Sequence, residues 1–277
     1  AVRANNSELR EADARNIPVI PRAEMLAEVM RLKNGIAVAG SHGKTTTTSF
    51  IAHTLDAVGL DPTAIIGGRV LASESAPTGA RLGAGDLLIA EADESDGSFL
   101  RLTPVIAVVT NIDREHLDHY GSYGALQEAF ASFANRIPFW GLSVLCFDHP
   151  GVQAIIPQMT RRKVTYGFAP QADLVAGAVE VDQTGMRFSV RERGSALGDV
   201  CIRLPGRHNV LNALATIAVT RELAIPFADT AAAMEEFLGI ERRFECKGEV
   251  AVIAVFDDYG HHPAEVRATL EAARAFH

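Results

Sequence analysis

The stretch on which the fold turns is Gly35-Ile36-Ala37-Val38-Ala39-Gly40-Ser41-His42-Gly43-Lys44-Thr45-Thr46. An apolar run stops at a glycine, a second glycine and a lysine follow, and residues 44–57 read as a helix. A short run that is apolar throughout, rather than at alternate positions, suits a strand buried on both faces. Strand, glycine-bearing turn and helix together make a loop whose backbone N–H groups can converge on a polyphosphate, because glycine carries no Cβ to obstruct the approach. The helix start adds positive potential. The Lys44 ammonium can bridge outer phosphates, and the Thr45 hydroxyl can ligate Mg²⁺. Gly40, Ser41, His42, Gly43, Lys44, Thr45 and Thr46 are therefore the candidate phosphate-binding residues. The spacing departs from G-x-x-x-x-G-K-[ST]: Val38 stands at the first glycine position and a glycine stands at 40 instead. For GKT alone a plain strand–helix turn competes, and the flanking strand and helix favour the phosphate loop.

Outward from the loop, strands and helices alternate. Residues 86–90 and 105–112 read as buried strands, 123–134 as a helix and 142–147 as a strand, which argues a parallel sheet covered on both faces. Upstream, 17–21 is extended because proline biases the residue before it to β, and 23–31 has helical apolar spacing. From 164 to 204 the pattern changes: 174–181, 186–193 and 200–204 read as short strands of a small antiparallel appendage. Helices are expected over 209–223 and 228–238, a strand over 250–256 and a helix over 263–276. Boundaries fall near 31–35 and 239–246, giving three parts: 1–31, a central domain over 32–240, and 241–277. The chain does not start with Met and ends within a helical pattern, so both ends read as cuts.

The 277 residues carry 26 Lys and Arg against 34 Asp and Glu, a net charge of −8. That balance argues against nucleic acid as a general partner, and 48% hydrophobic residues suffice for a core rather than disorder. No apolar run approaches the ~20 residues of a membrane helix, and residues 1–16 lack the apolar stretch of a signal peptide. Cys146, Cys201 and Cys246 fall in unrelated contexts and read as buried thiols of a reducing compartment. Oligomeric state stays open.

Phosphates need a metal, and Mg²⁺ prefers hard oxygen ligands. IAEADESD (89–96) and TNIDREHLDH (110–119) each follow a buried strand, and ligands of open parallel sheets bind beyond the carboxyl ends of strands. Glu91 and His116 are thus expected to converge on Thr45. A solvated loop accounts equally well for the acidic cluster alone, and His119 reads as a surface residue or one behind the ligands.

In these segments the sequence resembles the Mur ligase family, which builds the peptide stem of bacterial cell walls. The resemblance rests on GSHGKTT (40–46), EADESDGSF (91–99), TNIDREHLDHYGS (110–122), GRHNVLNALA (206–215), ERRFE (241–245) and DDYGHHPAEV (257–266), in that order. The wording of EADESD and DDYGHHP is most similar to the branch that joins L-alanine to UDP-N-acetylmuramate. The resemblance implies an α/β, phosphate-loop ATPase domain flanked by remnants of N- and C-terminal α/β domains, in a cytoplasmic enzyme. It implies that Lys44 holds ATP phosphates, that Thr45, Glu91 and His116 serve two Mg²⁺ sites, and that His208, Asn209 and Asn212 lie near the adenine. For Asn209 a helix cap is the competing role. Arg243 would face the γ-phosphate and Asp258 would contact ATP, with His261 bracing the turn. No lysine occurs between Lys44 and Lys163, so the carbamylated lysine by which several relatives support a metal is absent.

The implied reaction is ATP-driven amide formation through an acyl phosphate. Alternatives are a relative joining other substrates, such as a tripeptide-adding recycling ligase or a folate polyglutamate ligase, and a non-catalytic ATP-binding fragment. A phosphate-loop kinase is disfavoured by the Arg243 and Asp258 motifs. A metallohydrolase on His116, His119, His261 and His262 is disfavoured by the lack of HExxH spacing.

Overall fold

The computed structural model describes residues 5–70, 78–181, 185–251 and 253–276. In chain order its main elements are α1 (Ser7–Ala14), α2 (Arg22–Arg31), β1 (Asn34–Ala39), α3 (Lys44–Ala57), β2 (Thr63–Val70), β3 (Thr78–Arg81), β4 (Leu87–Glu91), β5 (Ile106–Val109), α4 (Leu117–Tyr120), α5 (Tyr123–Asn135), β6 (Leu142–Cys146), α6 (Pro150–Ile155), β7 (Lys163–Gly167), β8 (Leu174–Val181), β9 (Met186–Glu192), β10 (Ser195–Ile202), α7 (Arg207–Glu222), α8 (Phe227–Glu236), β11 (Glu245–Val250), β12 (Ile253–Asp257) and α9 (Pro263–Phe276).

One mixed sheet runs β10-β9-β8-β7-β6-β5-β1-β4-β2-β3. Neighbours from β2 across to β8 are parallel, β3 adds antiparallel at one edge, and β9 and β10 close the other through antiparallel ladders. The central strands are apolar throughout because both faces are covered. On β1 and β5, Ile36, Val38, Ile106 and Val108 join the core under α3, α7 and α8. Ala37, Ala39, Ala107 and Val109 join the opposite core with Met30 of α2 and Phe130 and Phe133 of α5. Burying each large apolar side chain in these layers contributes about 1.5–3 kcal/mol. Helix α3 carries a run of threonines that disfavours helix intrinsically, yet Thr46, Thr47 and Thr48 are buried, and packing decides the conformation.

The expected antiparallel appendage is present, joined to the edge of the main sheet where β8 pairs parallel with β7 at Tyr166–Leu174 and Gly167–Val175. Two expectations change. The strand expected over 250–256 is the second half of a hairpin, β11 with β12, whose register shifts between Cys246 and Gly248; Val252 lies outside the described residues, as do residues 1–4 of the expected N-terminal part. Of the three cysteines expected to be buried, only Cys146 is; Cys201 is half-buried and Cys246 is exposed on β11. No helix among the described residues is long and apolar enough to cross a membrane.

Candidate functional site

The order β5-β1-β4 makes β1 a topological switch: the chain leaves it for β2 on one side, then crosses it between β4 and β5. The crevice beyond such a switch is where ligands of open α/β sheets bind. Residues 40–43 form the loop there, and Gly43, at φ 78°, precedes the first turn of α3. Gly40 has φ 142°, and a Cβ on it would overlap Thr110 Oγ1; a Cβ on Gly43 would stand 2.7 Å from Asn212 Oδ1. Both positions therefore require glycine, for conformation and for space.

The loop is braced by the residues just past β5. The His42 N–H donates to Asn111 Oδ1 at 2.7 Å, and the His42 carbonyl accepts from Asn111 Nδ2 at 2.9 Å and from Thr110 Oγ1 at 2.6 Å. The Ser41 N–H donates to the Asn111 carbonyl, and the Asp113 N–H donates to Ser41 Oγ at 2.8 Å. The loop thus arrives with its shape set.

Lys44 Nζ donates to the Gly40 carbonyl at 2.6 Å and lies 3.0 Å from the buried Glu94 carboxylate. Burial pushes the Glu94 carboxyl above its ordinary range, against the pull of Lys44. Glu91 accepts from the Gly67 N–H at 2.6 Å and from the Thr45 hydroxyl. Burial also raises the Glu91 carboxyl, while these donors and the Lys44 and Arg243 charges lower it. Glu91 and Thr45 are therefore in contact, as expected. His116, at φ 55° ahead of α4, has Nε2 3.9 Å from Glu94 Oε1 and 4.0 Å from Glu115 Oε2.

A cavity of about 270 Å³ adjoins the loop and is lined by His42, Gly43, Thr46, His208, Asn209, Asn212, Arg243 and Asp258, among others. The expected site residues of four separate motifs therefore face one space. Asn212 ties α7 to α3, accepting from Thr47 Oγ1 at 3.1 Å and donating to Asn209 Oδ1 at 3.1 Å. Asn209 does not cap the helix: Gly206 holds the cap position, and Asn209 Nδ2 donates to the Pro205 carbonyl at 2.7 Å. Asp258 accepts from the Phe244 and Gly260 N–H groups and from Thr269 Oγ1, so it fixes the turn that carries it into the cavity. Arg243 NH1 stands 3.9 Å from Glu265 Oε1. His261 is exposed, with Nδ1 3.4 Å from the Tyr259 carbonyl.

Glu94 belongs to the acidic cluster read in 89–96, whereas Asn111, Glu115 and Glu265 were not singled out from the sequence. Those three lie inside quoted segments, and the signal was their residue type: a hydrogen-bonding amide after a buried strand, and carboxylates beside a loop histidine.

The Mur ligase middle domain family matches residues 38–220. The UDP-N-acetylmuramate–L-alanine ligase of Sorangium cellulosum is 57% identical over 274 residues, covering 99% of this chain and 58% of that protein. The protein of that name from Myxococcus xanthus is 54% identical, covering 99% and 57%. Among solved structures, UDP-N-acetylmuramate-alanine ligase MurC of Thermotoga maritima matches with TM-score 0.87 and 29% identity, over 100% of this chain and 62% of that one. The murein peptide ligase of Psychrobacter arcticus matches at 0.80 and 26%, over 99% and 61%. The chain spans about three fifths of the length of the curated relatives it matches.

Proposed function

The chain belongs to the Mur ligase family, and from that premise we propose that it is the ATP-binding centre of a cytoplasmic ligase that joins L-alanine to UDP-N-acetylmuramate in peptidoglycan precursor synthesis. The carrying observation is the shared cavity: residues from the loop, α7, the 241–245 segment and the turn after β12 line one space beside Lys44. The relatives named for this reaction support the choice of substrates. In this reading residues 1–31 belong to a uridine-nucleotide domain, 32–240 to the ATP domain and 241–277 to the domain that receives the amino acid.

A carboxylate is a poor electrophile because oxide would have to leave. Attack of a carboxylate oxygen of UDP-N-acetylmuramate on the γ-phosphorus breaks the bond to ADP and gives an acyl phosphate. The L-alanine amine then forms the amide bond, phosphate leaves, and the amine gives up a proton. The protein's part is positioning and charge neutralisation. Lys44 exchanges the Gly40 carbonyl and Glu94 for phosphate oxygens. Gly40, Ser41, His42, Gly43, Thr45 and Thr46 offer N–H groups or a hydroxyl to the phosphates. Arg243 opposes developing charge on the γ-phosphoryl group, and His208, Asn209, Asn212 and Asp258 hold the nucleoside end. The residues fit Mg²⁺: the Thr45 hydroxyl and Glu91 are hard donors in contact, and the buried Glu94 carboxylate, paired with Lys44 through Oε2, has its Oε1 3.9 Å from His116 Nε2. Thr45 and Glu91 would hold one ion, and His116 with Glu94 a second. Such ions neutralise phosphate charge and orient the γ-phosphoryl group.

The test is calorimetric titration with ATP and Mg²⁺, then phosphate release with and without each substrate. Lys44→Ala should lose a charged hydrogen bond worth about 1.5–3 kcal/mol, roughly 10- to 150-fold in affinity. Equal affinity in the two proteins would defeat the phosphate assignment. The protein extended to its relatives' full length should release phosphate only when UDP-N-acetylmuramate and L-alanine are both present. Release with another acceptor or amine alone would point to a sister ligase. The coverage of three fifths favours a second reading for the 277-residue chain by itself, ATP binding with poor turnover.

A further inference from the structure

We propose that His42 and His262, with Glu115 and Asp113, form a Zn²⁺-class metal site that joins the phosphate loop to the segment after β12. This site is separate from the Thr45–Glu91 contact, and the inference does not depend on the ligase reading.

The donors already converge. His42 Nε2 lies 3.1 Å from Asp113 Oδ2 and 3.6 Å from Glu115 Oε1, and His262 Nε2 lies 3.4 Å from the same Glu115 oxygen. One ligand atom each from His42, Glu115 and His262 fall within 4.8 Å of one another, and the two imidazole rings are 4.8 Å apart. Donors about 2.0–2.2 Å from a tetrahedral zinc stand roughly 3.3–3.6 Å from each other, which the His42–Glu115 and His262–Glu115 separations already match. Two imidazole nitrogens are poor ligands for Mg²⁺ and good ones for Zn²⁺.

A second observation concerns orientation. His42 Nε2 is buried and makes no hydrogen bond, although carboxylates surround it. Its other nitrogen, Nδ1, faces Glu265 Oε1 at 3.2 Å. A proton on Nδ1, donated to Glu265, leaves the Nε2 lone pair directed at Asp113 and Glu115. A carboxylate behind a histidine, fixing its tautomer and raising its basicity, is the usual support of a metal-ligating imidazole.

Charge makes the third argument. Asp113, Glu115 and Glu265 all lie within 4.0 Å of His42. Among the described residues, those carboxylates also face His149, 3.4 Å from Asp113, His116, 4.0 Å from Glu115, and His261 and Arg243, 3.7 and 3.9 Å from Glu265. With both imidazoles neutral the pocket is short of positive charge. A divalent ion held by the two neutral imidazoles supplies that charge.

The experiment is Zn²⁺ titration of the 277-residue chain by calorimetry in excess Mg²⁺, with Co²⁺ as a spectroscopic probe. The expected result is a single saturable Zn²⁺ per chain. His262→Gln should lose that binding, Glu265→Gln should weaken it by about 10- to 100-fold, and Glu91→Gln should leave it unchanged. Co²⁺ should give the intense visible bands of a tetrahedral site. Absence of saturable Zn²⁺ binding, equal affinity in His262→Gln, or loss in Glu91→Gln in place of His262→Gln would overturn the assignment. If melting in chelator shows that His262→Gln does not fold, the wild-type Co²⁺ spectrum decides: weak octahedral bands refute the site.

Discussion

Asn111→Ala tests whether the phosphate loop is shaped by its brace. The substitution removes the acceptor of the His42 N–H at 2.7 Å and one donor to the His42 carbonyl at 2.9 Å. The carbonyl keeps its Thr110 hydroxyl partner at 2.6 Å, so the second loss is an ordinary net hydrogen bond of about 1 kcal/mol. The N–H is left without its partner in a half-buried place, which costs about 1–2 kcal/mol more. The total is about 2–3 kcal/mol. If the loop stays in place, the whole amount appears in urea unfolding of the free protein. If the loop relaxes into solvent, stability falls by less and ATP affinity falls instead, because the nucleotide must restore the shape. The sum of the two losses is the invariant quantity. Asn111→Asp separates the parts, since a carboxylate still accepts from the N–H but offers no donor to the carbonyl. Unfolding and ATP titration on wild type and both variants suffice. Asn111→Ala matching wild type in both measurements would refute the brace.

Two further outcomes follow from the same site. Gly40→Ala should lower stability and ATP affinity together, by about 1–3 kcal/mol from backbone strain alone, since φ is 142° and the new methyl meets Thr110 Oγ1; unfolding and ATP titration at wild-type levels would contradict the clash. The hydrogen bond to His42 holds the Glu265 carboxyl down at about 2, against an ordinary 4.5. Its stabilisation is therefore present above pH 4.5 and lost as pH falls from 4.5 towards 2. After discounting for solvent screening it amounts to the order of 1 kcal/mol, and the stability gap between wild type and Glu265→Gln should close over that window; a gap independent of pH would refute it.

Local pattern was enough where one element decides its own conformation. The strand into Gly40 and the helices over 44–57 and 263–276 were readable because burial on both faces, a glycine stop and a 3.6-residue period each leave a mark in sequence. Pairing leaves no such mark. Nothing within 174–202 tells whether its strands stand apart or bond edge-on to β7. β2 and β3 went unread because Gly67, Gly68 and Gly79 weaken the strand signal. The hairpin of β11 and β12 read as one strand because β11 (ECKGEV) is polar and exposed. In the site, residue types named Thr45 and Glu91, which the structure brings into contact. The pairing of Lys44 with Glu94 depends on tertiary approach, which spacing does not encode.

The loop and its brace grow from adjacent strands, since β1 and β5 are hydrogen-bonded neighbours up to Ala39 and Val109. Those strands lie at the middle of the sheet and are buried on both faces, where opening to solvent requires unfolding the whole domain. The loop therefore shares the rigidity of the most protected backbone in the molecule, and its amides at 41 and 42 should exchange with solvent nearly as slowly as those of β1. The hairpin of β11 and β12 forms a sheet of its own, and α9 meets the loop through the Glu265–His42 hydrogen bond, so a displacement of that segment would be felt first at His42.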